Sequence, residues 1–303
     1  MFQSLIAVFL VIAAGTLARR WFLPDEQVWK GTEKVTYYIL IPALLIHSLA
    51  LADLKSVPVA GVAAALLSAN VVMGLALLLG RRALQDALRM DGPAFTSLFQ
   101  GVMRWNAFVA LAMAGNLYGA TGVTLASVAM AVLIPVLNIQ SVLVLRRYGS
   151  GTGGSMWQGL ATNPFILGTL AGLAINLTGL PVPGAIASTI DILGRCALGL
   201  GLLLVGAGLQ LGDLVKPSRA LLASLALRLL LLPVIGGLAA LALALGNAPM
   251  GVVIVCLAVP SASASYILAR QMGGDAPLIA AMLTAQTIAS FATLPLLFWL
   301  FRL

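Results

Sequence analysis

Apolar residues run along this chain in unbroken stretches of about 16–26 residues, with polar residues gathered between the stretches instead of alternating with them. Ten such runs lie near 3–18, 35–51, 57–80, 94–117, 122–145, 160–178, 185–210, 218–243, 248–269 and 276–301. A helix rising about 1.5 Å per residue needs roughly 20 apolar residues to cross a hydrocarbon core of about 30 Å. The runs therefore predict ten transmembrane helices and an all-α polytopic membrane protein. Continuous runs, lacking a period of two, exclude a β-barrel.

The order of the runs repeats. Leu51-Ala52-Asp53-Leu54 closes one apolar stretch and Leu211-Gly212-Asp213-Leu214 closes another, 160 residues later. Leu133-Ile134-Pro135-Val136-Leu137 and Thr293-Leu294-Pro295-Leu296-Leu297 share that offset. A unit with an odd number of spans must be followed by an upside-down copy, so the pattern predicts two inverted five-helix repeats, as in secondary transporters. The boundaries are 1–147 for the first repeat, 148–158 for a linker and 159–303 for the second. Gly149-Ser150-Gly151-Thr152-Gly153-Gly154-Ser155 reads as a flexible cytoplasmic hinge. Asn163-Pro164 opens the sixth span as cap and first helical turn.

Composition sharpens this picture. Hydrophobic residues make up 61% of the chain and charged residues 9%, with mean hydropathy +1.07. A soluble domain is about 25% charged. The net charge of +8 does not point to nucleic acid, because its distribution follows topology. Odd-numbered connections hold twelve Lys and Arg residues; the even-numbered ones hold only Lys55, and the C-terminus only Arg302. Basic residues collect on the cytoplasmic side, so both termini are expected on the outer face. Met1-Phe2-Gln3 lacks the positive n-region of a removable signal peptide. Cys196 and Cys256 fall inside spans and read as buried thiols.

Polar groups at membrane depth mark function by default. Arg104-Trp105-Asn106 lies about ten residues, roughly 15 Å, into span four. Pro260-Ser261-Ala262-Ser263-Ala264-Ser265 reaches a similar depth in span nine, where the proline removes a helical hydrogen bond and frees a carbonyl. Irregular backbone at that depth persists only inside protein or beside a wet cavity. Arg104 is expected to clamp an anionic group bidentately, with Asn106, Pro260, Ser261, Ser263 and Ser265 beside it. Asn70, Asn138, Gln286 and His47 are candidates for a pathway or ion site. Asp191 and Arg195, one turn apart, read as a structural ion pair that Arg228 could join.

These motifs resemble the auxin efflux carrier family, in particular its bacterial malonate-transporter-like branch. The resemblance rests on Arg104-Trp105-Asn106-Ala107-Phe108, Asn163-Pro164, Leu204-Val205-Gly206-Ala207-Gly208-Leu209, Val259 through Arg270, Gly273-Gly274-Asp275 and Thr293-Leu294-Pro295. It implies a plan shared with bile-acid symporters and sodium/proton antiporters. Spans 1, 2, 6 and 7 would form a scaffold that dimerises. Spans 3–5 and 8–10 would form a transport domain in which broken helices four and nine cross. Plant members carry a proline where this chain has Trp105.

The function expected is therefore secondary transport of a small organic anion, a carboxylate such as malonate, by elevator-type alternating access in the bacterial inner membrane. A coupling proton or sodium ion is a candidate partner. No cofactor or metal is needed. An anion channel is one alternative. An intramembrane enzyme is another, since Gly273-Gly274-Asp275 faintly resembles an aspartyl protease motif, but such catalysis needs two facing carboxylates.

Overall fold

A computed structural model describes residues 2–52, 57–151, 164–179, 181–209 and 218–303. Asp53, Asp213 and Asn163 lie outside the described residues, as does the linker from residue 152 onward. Among the described residues every regular element is helical. Among the described residues five helical stretches are long and apolar enough to cross a membrane: Val59–Leu79, Gly92–Tyr148, Gly184–Ala207, Arg219–Ala242 and Ala276–Leu300. Pro164–Thr178 and Asn247–Ala258 are shorter apolar helices. Large apolar side chains such as Leu79 and Trp299 face outward, whereas Thr96, Ser97, Gln100, Arg228, Gln286 and Ser290 are buried. That inversion suits a lipid surround, and the chain is a multi-pass α-helical membrane protein.

In chain order the helices are α1 (Phe2–Leu17), α2 (Glu26–Val35), α3 (Ile41–Ala50), α4 (Val59–Leu79), α5 (Arg81–Leu88), α6 (Gly92–Met103) and α7 (Ala107–Tyr148). Then come α8 (Pro164–Thr178), α9 (Gly184–Ala207), α10 (Arg219–Ala226), α11 (Leu232–Ala242), α12 (Asn247–Ala258), α13 (Ala264–Met272) and α14 (Ala276–Leu300). Widened π turns join α2 to α3 over Thr36–Leu40 and α10 to α11 over Leu227–Leu231. Both come just before a proline, Pro42 and Pro233. A proline ring clashes with the carbonyl four residues back and removes one helical bond; a widened turn relieves both. In α7 the chain turns at Gly119, whose φ of 59° and ψ of −144° suit only glycine. Pro135 and Pro295 both sit inside helices, α7 and α14.

The helices group into two compact units, each drawing on both halves of the chain. The first comprises Met1–Ala60, Ala107–Ile134 and Trp157–Gly208. Its α1 and α9 touch backbone to backbone: a Cβ on Gly15 would overlap the Leu203 carbonyl, and one on Gly206 the Ile12 carbonyl. Small residues permit such approach where no hydrophobic force drives helices together in lipid. Arg19 Nη1 donates to Ala207 O at 2.7 Å, setting a cation at the negative end of α9. Asn176 Nδ2 lies within hydrogen-bonding distance of the Leu49, Ala50 and Ala52 carbonyls at 3.0, 3.2 and 2.7 Å, serving the frayed end of α3.

The second unit comprises Gly61–Asn106, Pro135–Met156 and Leu209–Leu303. Residues 107–134, expected in the transport domain, are thus grouped with the first unit. Here residues 150 and 151, at the start of the segment expected to link the two halves, contact α13. Ser150 N donates to Gly273 O at 2.9 Å and Gly151 N to Met272 O at 3.3 Å, capping α13. A correction concerns Cys196, which is exposed, whereas Cys256 is buried as expected.

Candidate functional site

Within the second unit α6 and α12 are both twelve residues long and stop in the same way. Their starts, Gly92 and Asn247, and their ends, Met103 and Ala258, are each separated by 155 positions. Asp91 caps α6 through Ala94 N at 2.9 Å, and Pro93 sits in the first turn, where a missing N–H costs nothing. Past α6, Arg104 is extended at φ −78°, ψ 150°; past α12, Val259 is extended at φ −68°, ψ 155°. The two interruptions meet directly, Asn106 N donating to Pro260 O at 2.8 Å.

A helix leaves its last four carbonyls without intrahelical partners. At depth in lipid those groups need donors from elsewhere. In α6 three of them receive donors from the second half of the chain, Gln100 O accepting from Arg104 N at 2.9 Å as well. Gln286 Nε2 donates to Gly101 O at 3.0 Å, Arg228 Nη1 to Val102 O at 3.0 Å, and Ser261 Oγ to Gln100 O at 3.3 Å. In α12 and just beyond it, Arg228 Nη2 reaches Cys256 O at 3.3 Å and its Nε reaches Val259 O at 2.9 Å. Gln286 completes the link by accepting from Ser261 N at 2.9 Å. One amide and one guanidinium therefore each bridge both interruptions.

Arg228 corrects the sequence reading. It does not act as an adjunct of Asp191 and Arg195; it is fully buried and donates to carbonyls of its own unit. Each helix C-terminus carries roughly half a negative charge. Two such ends converge on one guanidinium, and the sum is close to neutral. That balance lets a charge reside in the interior without a carboxylate.

The other expected site residues divide by surroundings. Arg104 is half-buried and Asn106 buried, adjoining the first interruption. Pro260 is buried, its carbonyl accepting from Asn106. Ser261 and Ser265 are buried with their hydroxyl oxygens 3.4 Å apart, shaping the second interruption. Ser263 is exposed at the N-terminus of α13. Asn70 is buried on α4, donating to Leu66 O at 2.8 Å, while its Oδ1 has no hydrogen-bond partner among the described residues. One turn on, Gly74 faces Met103 and Gln140. The side-chain amide of Gln100 and Gln140 Oε1 are likewise buried without partners. Asn138 is half-buried on α7, one turn past Pro135.

His47 belongs to the first unit. Its Nε2 is 3.7 Å from Asp191 Oδ1, and the same carboxylate takes Arg195 Nη2 at 2.7 Å and Nε at 2.9 Å. Asp275 caps α14 through Leu278 N at 3.0 Å. Among the described residues no cluster of three His, Cys, Asp or Glu side chains could hold a metal ion.

Residues 152–300 match the model of a family described as Membrane transport protein. The matched segment is just under half of the chain and contains α12, α13, Arg228 and Gln286. It supports the auxin efflux carrier family and implies a membrane transporter. No curated protein matches the chain. Sequence reasoning undervalued Arg228 and Gln286. The available signal for Arg228 was a lone charge inside Leu227-Arg228-Leu229-Leu230-Leu231-Leu232-Pro233, where widened backbone was to be expected.

Proposed function

We propose that the chain is a secondary transporter of a small organic anion, a carboxylate of the malonate class. The observation that carries this reading is the meeting of two interrupted helices at Asn106 and Pro260, with Arg104 at the first interruption. Broken helices of inverted repeats form substrate sites in secondary transporters. Arg104 supplies a planar fork matched to a carboxylate, Asn106 orients it, and Ser263 stands at the positive end of α13. Asn70, Asn138 and Gln286 border the pathway. Ser261, Ser265 and Pro260 give the interruption its shape.

The ten apolar runs and the shared 155-residue spacing of α6 and α12 support two inverted five-helix repeats. In this reading spans 3–5 and 8–10 move as an elevator against a dimeric scaffold of spans 1, 2, 6 and 7. In this reading the protein works in the inner membrane with both termini outside, an orientation that its basic connections support.

Arg104→Ala in proteoliposomes tests the assignment. Uptake of labelled malonate and related mono- and dicarboxylates should be lost while the protein still elutes and melts as a folded species. Arg104→Lys should retain weak uptake with raised KM, because it keeps the charge and loses the fork. Uptake unchanged by Arg104→Ala removes the central assignment. Saturable counterflow supports a carrier; unsaturable conductance would favour a channel.

A further inference from the structure

Carbonyls released where helices break, and the negative ends of half-helices, are where transporters of this kind coordinate a coupling cation. In this chain several of those carbonyls are already engaged. Val102 O, Cys256 O and Val259 O lie at 3.0, 3.3 and 2.9 Å from three different nitrogens of a single buried guanidinium. The acceptors come from both interruptions, α6 supplying one and the region closing α12 supplying two. Each nitrogen of the Arg228 fork has its own oxygen. Asn106 N and Gln286 Nε2 engage the neighbouring Pro260 and Gly101 carbonyls.

We propose that Arg228 is a tethered cation occupying the carbonyl cradle of the crossover, so that the protein needs no sodium ion there. The inference rests on the transporter reading for its meaning in coupling, and on the cradle geometry for its substance. Electrostatics carry it. Two helix ends of roughly half a negative charge each are matched by one positive charge. A sodium ion entering beside Arg228 would leave the cradle net positive and would find its oxygens engaged. The widened turn over Leu227–Leu231, imposed by Pro233, holds Arg228 within reach of both helix ends.

The purified full-length protein tests this without any substrate. Its melting midpoint is measured in sodium chloride and in choline chloride at equal ionic strength, with and without millimolar guanidinium. The wild type should melt at the same temperature in both salts. Arg228→Ala should melt lower in choline, recover part of the loss in guanidinium and gain a saturable response to sodium. Arg228→Gln, which also removes the charge, serves if Arg228→Ala does not fold, and should gain the same cation response. Saturable stabilisation of the wild type by sodium overturns the proposal. So does a folded Arg228→Ala or Arg228→Gln protein indifferent to both cations. Because the midpoint is read without substrate, these results strike the occupied cradle alone; failure of carboxylate uptake strikes the transporter reading.

Discussion

Replacing Gln286 with Leu should loosen the crossover specifically, and the buried thiol of Cys256 can report it. Gln286 is fully buried and makes two bonds, accepting from Ser261 N at 2.9 Å and donating to Gly101 O at 3.0 Å. Leu fills similar space but leaves one backbone N–H and one backbone C=O without these partners. An orphaned buried group costs about 1–3 kcal/mol, whereas a polar side-chain contact between membrane helices averages only about 0.6 kcal/mol. The larger figure governs here, because the groups left behind are backbone and carry no rotamer by which to find another partner. Two orphans at the lower part of that range give about 2–4 kcal/mol. Cys256 lies in the last turn of α12, fully buried, and the chain has two cysteines. In a Cys196→Ser background it is the sole thiol for a fluorogenic maleimide. If labelling follows the open population, the rate should rise roughly 30- to 700-fold at tenfold per 1.4 kcal/mol. Ser290→Ala on the same helix removes only a local bond to Thr287 O at 2.8 Å and should leave the rate nearly unchanged. A change under about threefold for Gln286→Leu, less than about 0.7 kcal/mol, would refute the bridging role.

Other expectations follow from the same contacts. Gly206→Val places a side chain against the Ile12 backbone, which cannot yield as a side chain can; the yield of folded protein in a detergent size-exclusion profile should fall sharply. Asn176→Leu removes a donor serving three carbonyls at the end of α3. It should cost about 1–3 kcal/mol, read as a lower melting midpoint and faster proteolysis after Leu51. Gly273→Ala combines a φ of 72° with overlap against Gly151 and Ser150. Amide exchange at Ser150 and Gly151 should quicken, and unchanged protection there would show that the linker does not need this cap.

Much of the fold was written in the apolar runs, because lipid forces backbone groups to pair within each segment and leaves helices as the only reading. The second interruption was legible through Pro260, a residue that cannot donate. The first had no such mark, since Trp105 is compatible with a helix, and the chain breaks there because donors outside the segment take its carbonyls. The proposed repeat carries two spacings. Pro135 and Pro295 are 160 residues apart and both lie within helices, yet the interrupted helices are 155 apart. The five-residue difference is absorbed between interruption and proline, where composition gives no register.

The contrast between Arg104 and Arg228 shows where such reading stops. Both are lone charges in apolar runs, and a guanidinium at depth must find acceptors. A search among side chains for those acceptors ends at Asp191, which is why Arg228 was grouped with it. The acceptors of Arg228 are main-chain carbonyls, present at every residue and marked by no letter of the sequence. They become a binding set only where two helices end together. Arg104 stands at the mouth of the same interruption, half-buried, with the guanidinium of Arg228 already balancing the helix ends. The fully buried arginine thus neutralises the two helix ends, and it is the half-buried one that we propose meets the substrate's carboxylate.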